Sequence, residues 1–119
     1  MEFDYPIGYV FRTCNGFYYT FLGHDKDVYN PYSFMVTHCY NKNYSYINTH
    51  SKEWTESAVR NRILIPIVVL SENLLFDIQT CIPNVKKLND MARTNNLPDE
   101  LEKYIKTIMG YSHRLDVVN

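Results

Sequence analysis

Several things are scarce in these 119 residues, and each shortage excludes a class of protein. There are only four glycines, none spaced to cradle a phosphate, so a glycine-rich nucleotide loop is absent. No G-x-S-x-G elbow, no H-E-x-x-H pair and no kinase-type signature occurs either, and nothing in the chain argues for an enzyme. The three cysteines, Cys14, Cys39 and Cys81, are odd in number and lack C-x-x-C spacing, which predicts reduced thiols, no structural zinc and a cytoplasmic setting. The longest apolar run, Ile63 to Leu70, is far too short to span a bilayer as a helix. Charge of either sign is missing in bulk: 12 basic and 13 acidic residues leave a net charge of -1, too little to draw in a nucleic-acid backbone by counterion release. The acidic start, Met-Glu-Phe-Asp-Tyr, does not read as a signal peptide.

Aromatic residues are plentiful at 15%, and 11 of them are tyrosine, whose apolar body and polar tip suit half-buried surfaces. The densest aromatic stretch, Tyr9 to Leu22, has Asn15-Gly16 at its centre. Asn-Gly between two strand-forming runs predicts a hairpin with a two-residue type I′ turn. That register sets Arg12 opposite Tyr19 and Val10 opposite Phe21 on one face, with Phe11 opposite Thr20 and Tyr9 opposite Leu22 on the other. A polar turn at His24-Asp25-Lys26-Asp27 and a break at Asn30-Pro31 lead to a second hairpin, Tyr32 to Tyr40 and Tyr44 to Thr49 around Asn41-Lys42-Asn43. A three-residue turn there puts Phe34, His38, Tyr46 and His50 on one face, with His38 and His50 four rungs, or about 13 Å, apart.

A short helix is expected over Glu53–Asn61, with Trp54 and Val59 as its apolar residues. Ile63 to Leu70 then reads as a strand covered on both faces, and Pro66 places it at a sheet edge or at a bulge. Ser71 is a helix cap, and Leu74, Ile78, Cys81, Val85, Leu88 and Ala92 form one helical stripe. Pro83 interrupts that stripe and favours two short helices over one kinked helix, with 93–96 ending the unit. Leu97, Leu101, Tyr104, Ile105, Ile108 and Met109 form a second stripe behind Pro98 and two acids, and Gly110 reads as its C-cap.

The expected architecture is therefore one α+β domain over 1–119. An N-terminal antiparallel meander of two hairpins (1–50), at the size where a sheet begins to curl in SH3-like fashion, is followed by a short helix and a buried strand (51–70), and packs with them against a C-terminal helical unit (71–119). The helical stripes can cover one face of the sheet, which leaves the other as the place to look for function.

Binding is the best-supported class. Arg12 beside Tyr18 and Tyr19, with Arg60, Arg62 and Trp54, offers the stacking and anion chemistry that would hold a nucleotide-like small molecule or a host protein, with self-association a further expectation. No cofactor and no membrane is implied. Asn, Tyr, Ile and Lys are frequent while Ala and Gly are scarce, the bias of an AT-rich gene, which fits a small phage or viral accessory protein that inhibits a host or defence factor. The alternatives are a small hydrolase or nuclease working through His24, His38 or His50, the last beside Glu53 or Glu56, and a single-stranded RNA or DNA binder. Ser112-His113 lacks a third catalytic partner.

Overall fold

The structure is a computed structural model that describes residues 3–91 and 96–118, with side chains to residue 110. Ala92, the segment 93–95 and the side chains of Ser112 and His113 lie outside the described residues. Five strands, β1 (Tyr9–Arg12), β2 (Phe17–His24), β3 (Tyr32–His38), β4 (Asn41–His50) and β5 (Ile65–Val69), form one open antiparallel sheet in the order β4-β3-β2-β1-β5. Three helices pack on it: α1 (Lys52–Arg60), α2 (Glu72–Asp90) and α3 (Asp99–Val118). The chain is thus an α+β meander with one added strand, as the order of its sequence patterns implies.

Both hairpin registers differ from expectation, with different consequences. In the first, Val10 pairs with Thr20, Phe11 with Tyr19 and Arg12 with Tyr18, one residue away from the two-residue-turn register. The loop has three residues, Cys14-Asn15-Gly16, and only Gly16 is left-handed, at φ 87°. The Thr13 N–H donates to the Phe17 carbonyl at 2.9 Å and the Thr13 hydroxyl accepts from the Phe17 N–H at 3.2 Å. The Gly16 carbonyl accepts the Cys39 N–H from the neighbouring hairpin at 2.9 Å. These bonds favour a turn ending in one left-handed glycine over the type I′ turn, which needs Asn15 left-handed as well. Because strand side chains alternate, a slip of one residue exchanges cross-strand partners between faces. Arg12 therefore lies on the face opposite Tyr19.

In the second hairpin the turn is Cys39-Tyr40, not Asn41–Asn43, and Phe34 pairs with Asn48 and Val36 with Tyr46. This shift is by two residues, so the face assignments of Phe34, Tyr46 and His50 survive. His50 pairs with Tyr32, six residues from His38 along β3, a separation of about 20 Å.

One face of the sheet carries Val10, Tyr18, Met35 and Cys39 under Leu74, Ile78, Cys81 and Val85 of α2 and Leu101, Tyr104, Ile105 and Ile108 of α3. The two stripes read from the sequence do this packing. Between these layers the hydroxyls of Thr20 and Tyr104, both fully buried, hydrogen-bond to each other. Helix α2 is a single helix through Pro83, correcting the expected break. Pro83 and Gln79, whose carbonyl loses its helical donor, both face solvent, so water can serve that oxygen while the buried stripe runs on unbroken. Helix α3 likewise continues past Gly110, which is not its cap.

Strand β5 lies at the sheet edge, and the register shift opposite Val10 and Phe11 falls at Pro66 to Val68, so Pro66 is both at an edge and at a bulge. The strand is half-buried rather than covered on both faces, with Val69 48% exposed; the fully buried members of that apolar run are its flanks, Leu64 and Leu70.

The second face of the sheet is not left open. Phe3 lies within 5.0 to 6.3 Å, ring to ring, of Phe11, Phe21, Tyr32 and Phe34, and its N–H donates to the Glu56 carboxylate of α1 at 3.0 Å. Ala58 and Val59 of α1, with Leu64, complete this second core. A lead-in segment and a short polar helix thus cover the aromatic face, except at the end near the first hairpin's tip. Among the described residues no helix is long and apolar enough to cross a membrane.

Candidate functional site

At that uncovered end a cavity of about 410 Å³ is lined by Thr13, Cys14, Asn15, Phe17, Tyr19, Tyr46, Arg62 and Ile63. The sheet supplies the rings: Phe17 and Tyr19 alternate along β2, and Tyr46 stands on β4, one strand beyond the buried Val36. The hairpin tip forms one wall, and the turn from α1 into β5 brings Arg62 and the half-exposed Ile63 over the other.

Arg62 holds its place under constraint. The α1 cap residue is Asn61; the Arg62 N–H donates to the Val59 carbonyl at 3.3 Å and the Ile63 N–H to the Ala58 carbonyl at 2.8 Å. This is the Schellman arrangement, whose first residue past the cap is left-handed and is usually glycine. Arg62 occupies it at φ 63°, the one described non-glycine residue with positive φ. A side chain in that region costs about 1–2 kcal/mol. Backbone strain of this kind gathers where a side chain has a task that a relaxed residue could not do.

Tyr19 is fixed by its neighbours. Burial first, and then the neighbouring Tyr46, push its phenol above the ordinary value. Behind it stand His50 and Trp54, stacked on each other at 3.7 Å with planes 14° apart and lying 6.2 and 6.5 Å from the Tyr19 ring. Burial pushes the His50 imidazole below its ordinary value, and its Nε2 is buried without a hydrogen-bond partner among the described residues. The neutral ring therefore acts as a packing plate that steadies Tyr19. Burial first, and then Tyr9, push the Tyr5 phenol above its ordinary value, and the charge of Arg62 opposes them.

Of the residues named from sequence, the cavity gathers Tyr19 and Arg62. Trp54 supports Tyr19 from behind. Tyr18 is buried under α2 and α3 at 5% exposure, and Arg12 shares its face. Arg60 is exposed in the last turn of α1 and does not line the cavity. His24 closes β2 against Tyr32 at 4.8 Å, and His38 accepts the Tyr40 N–H at its Nδ1 beside Phe17. His24 and His50 thus flank Tyr32 in one row of the sheet, His38 lies at the other end of β3, and Glu56 is engaged by Phe3. No group of three His, Cys, Asp or Glu side chains able to hold a metal occurs among the described residues. Sequence reasoning missed Phe17, Tyr46 and Ile63. Their joining depends on register and on the α1–β5 turn, though strand alternation from Tyr19 marks Phe17 as its neighbour on that face.

No family model, no curated protein and no solved structure matches this chain.

Proposed function

We propose that the protein is a non-enzymatic binding module that holds a flat, anionic small molecule of the nucleotide kind in the Phe17–Tyr19–Tyr46–Arg62 cavity. The single observation that carries this reading is Arg62, held in a left-handed position in one cavity with the half-buried Phe17 and Tyr19 and the exposed Tyr46. Rings stack on a planar heterocycle with about 1–3 kcal/mol per ring, and a guanidinium meets a phosphoryl group through paired hydrogen bonds. Among the described residues the lining contains no carboxylate to repel an anion and no histidine to act as a general base. Capture without turnover suits a small phage or viral accessory protein that inhibits a host or defence factor by withholding its ligand. Thermal shift and titration calorimetry against a nucleotide panel test the reading. A raised melting temperature that Arg62→Ala and Tyr46→Ala abolish supports it, and a melting temperature unmoved by every nucleotide sinks it.

A protein partner is the second reading, favoured by Val28 and Tyr29, 86% and 85% exposed on the β2–β3 loop. Asp27 holds that loop by accepting the N–H groups of Tyr29 and Asn30 at 2.9 and 3.2 Å. Replacing both exposed side chains by serine abolishes this contact and leaves nucleotide binding unchanged.

A further inference from the structure

We infer that the cavity recognises a base bearing a single phosphoryl charge, and discriminates against gaining anything from a di- or triphosphate. The inference rests on the binding reading above and narrows its ligand class. The cations around the cavity set this limit. Among the described lysines and arginines, Arg62 alone lines the cavity. Arg12 stands on the opposite face of the sheet, and Arg60 lies on the last turn of α1, outside the lining. Lys26 sits on the β2–β3 loop, at the far end of β2 from the first hairpin's tip. Lys42 is held by Asp99 at 2.8 Å and faces Glu102 at 3.9 Å. A polyphosphate chain would therefore find one fork-shaped donor and then open solvent around a chain of net charge -1.

The aromatic side of the site is built to the same scale. Tyr19 and Tyr46 line the cavity from β2 and β4, and the His50–Trp54 stack braces Tyr19, so this wall is organised before the ligand arrives. At about 410 Å³ the cavity is within the range of small-ligand sites and accommodates a base with its sugar. The Schellman bonds fix the Arg62 backbone at the edge of the cavity, and the residue brings a single guanidinium fork to it. It meets one phosphoryl group, whether a cyclic phosphodiester or a 5′-monophosphate.

The experiment is calorimetry on the full chain with a free nucleoside, its 3′,5′-cyclic monophosphate, its 5′-monophosphate and its 5′-triphosphate. The two single-phosphoryl ligands should bind within about threefold of each other, each about 10- to 100-fold tighter than the nucleoside, as one charge-assisted pair gives. The triphosphate should bind no tighter than the monophosphate. Arg62→Gly, which suits the left-handed backbone and so keeps the fold, should bind every nucleotide as weakly as the wild type binds the nucleoside. A triphosphate at least tenfold tighter than the monophosphate overturns this inference and leaves the binding reading standing. Nucleotide affinity unchanged in Arg62→Gly also overturns it. No binding by any of the four overturns both.

Discussion

At the scale of single residues, Arg62 separates stability from function. Glycine at this position removes the cost of a Cβ in the left-handed region and gives back part of it as unfolded-state entropy. Arg62→Gly is expected to raise unfolding free energy by about 0.5–1 kcal/mol while ligand binding is lost. Arg62→Ala keeps the strain and loses binding without that gain, and urea denaturation of the pair distinguishes the two. His50 gives a pH signature. Burial lowers its pKa from 6.5, so the unfolded chain takes up the proton more readily than the folded one. The stability tied to this group is complete above pH 6.5 and is lost as pH falls below that value toward the folded pKa. The urea midpoint of the wild type should fall more between pH 7.5 and 5.5 than that of His50→Phe.

At the scale of elements, α2 tolerates proline because the proline faces water. The stripe from Leu74 to Leu88 keeps its packing on the sheet, and each fully buried aliphatic side chain contributes about 1.5–3 kcal/mol. That sum outweighs a helix-interior proline, which costs about 3 kcal/mol. Pro83→Ala should therefore raise stability by about 1–2 kcal/mol, once the proline's restriction of the unfolded chain is offset, and the thermal midpoint reports it. The contact between α3 and β2 makes a second test. Tyr104→Phe leaves the buried Thr20 hydroxyl without its partner and should cost about 1–3 kcal/mol. Adding Thr20→Val should cost less than the sum of the two single changes, since both partners are then gone.

At the scale of the whole molecule, both faces of an open sheet are covered by different parts of the chain, and the candidate site is the end of the aromatic face that its covering leaves bare. Burial raises the thiols of Cys39 and Cys81 and keeps them from reagent, while Cys14 is exposed at the cavity's rim. Alkylation of the native chain should show one fast thiol of the three. A ligand in the cavity should slow that reaction, while Arg62→Ala, with the same ligand, should leave it fast. Equal rates for Cys14 with and without a nucleotide that binds would place the ligand elsewhere.

Much of this architecture is legible in the sequence because it follows from local periodicity. The two helical stripes, the Ser71 end of α2, the meander order and the edge position of the Pro66 strand depend on neighbours within a few residues. The site depends on parity and on distant contacts. The bond from Cys39 to Gly16 and the bonds of Thr13 select a three-residue loop over a two-residue one, which moves Arg12 away from Tyr19. Phe3 and Glu56, 53 residues apart, draw the N-terminal segment and α1 over the aromatic face. By itself the sequence determined which elements form and which faces are apolar, since those follow from side-chain spacing. Only the tertiary structure decided that Arg62 lines one cavity with Tyr19 and Tyr46, because a one-residue register choice and a helix C-terminus are settled by contacts that no local pattern contains.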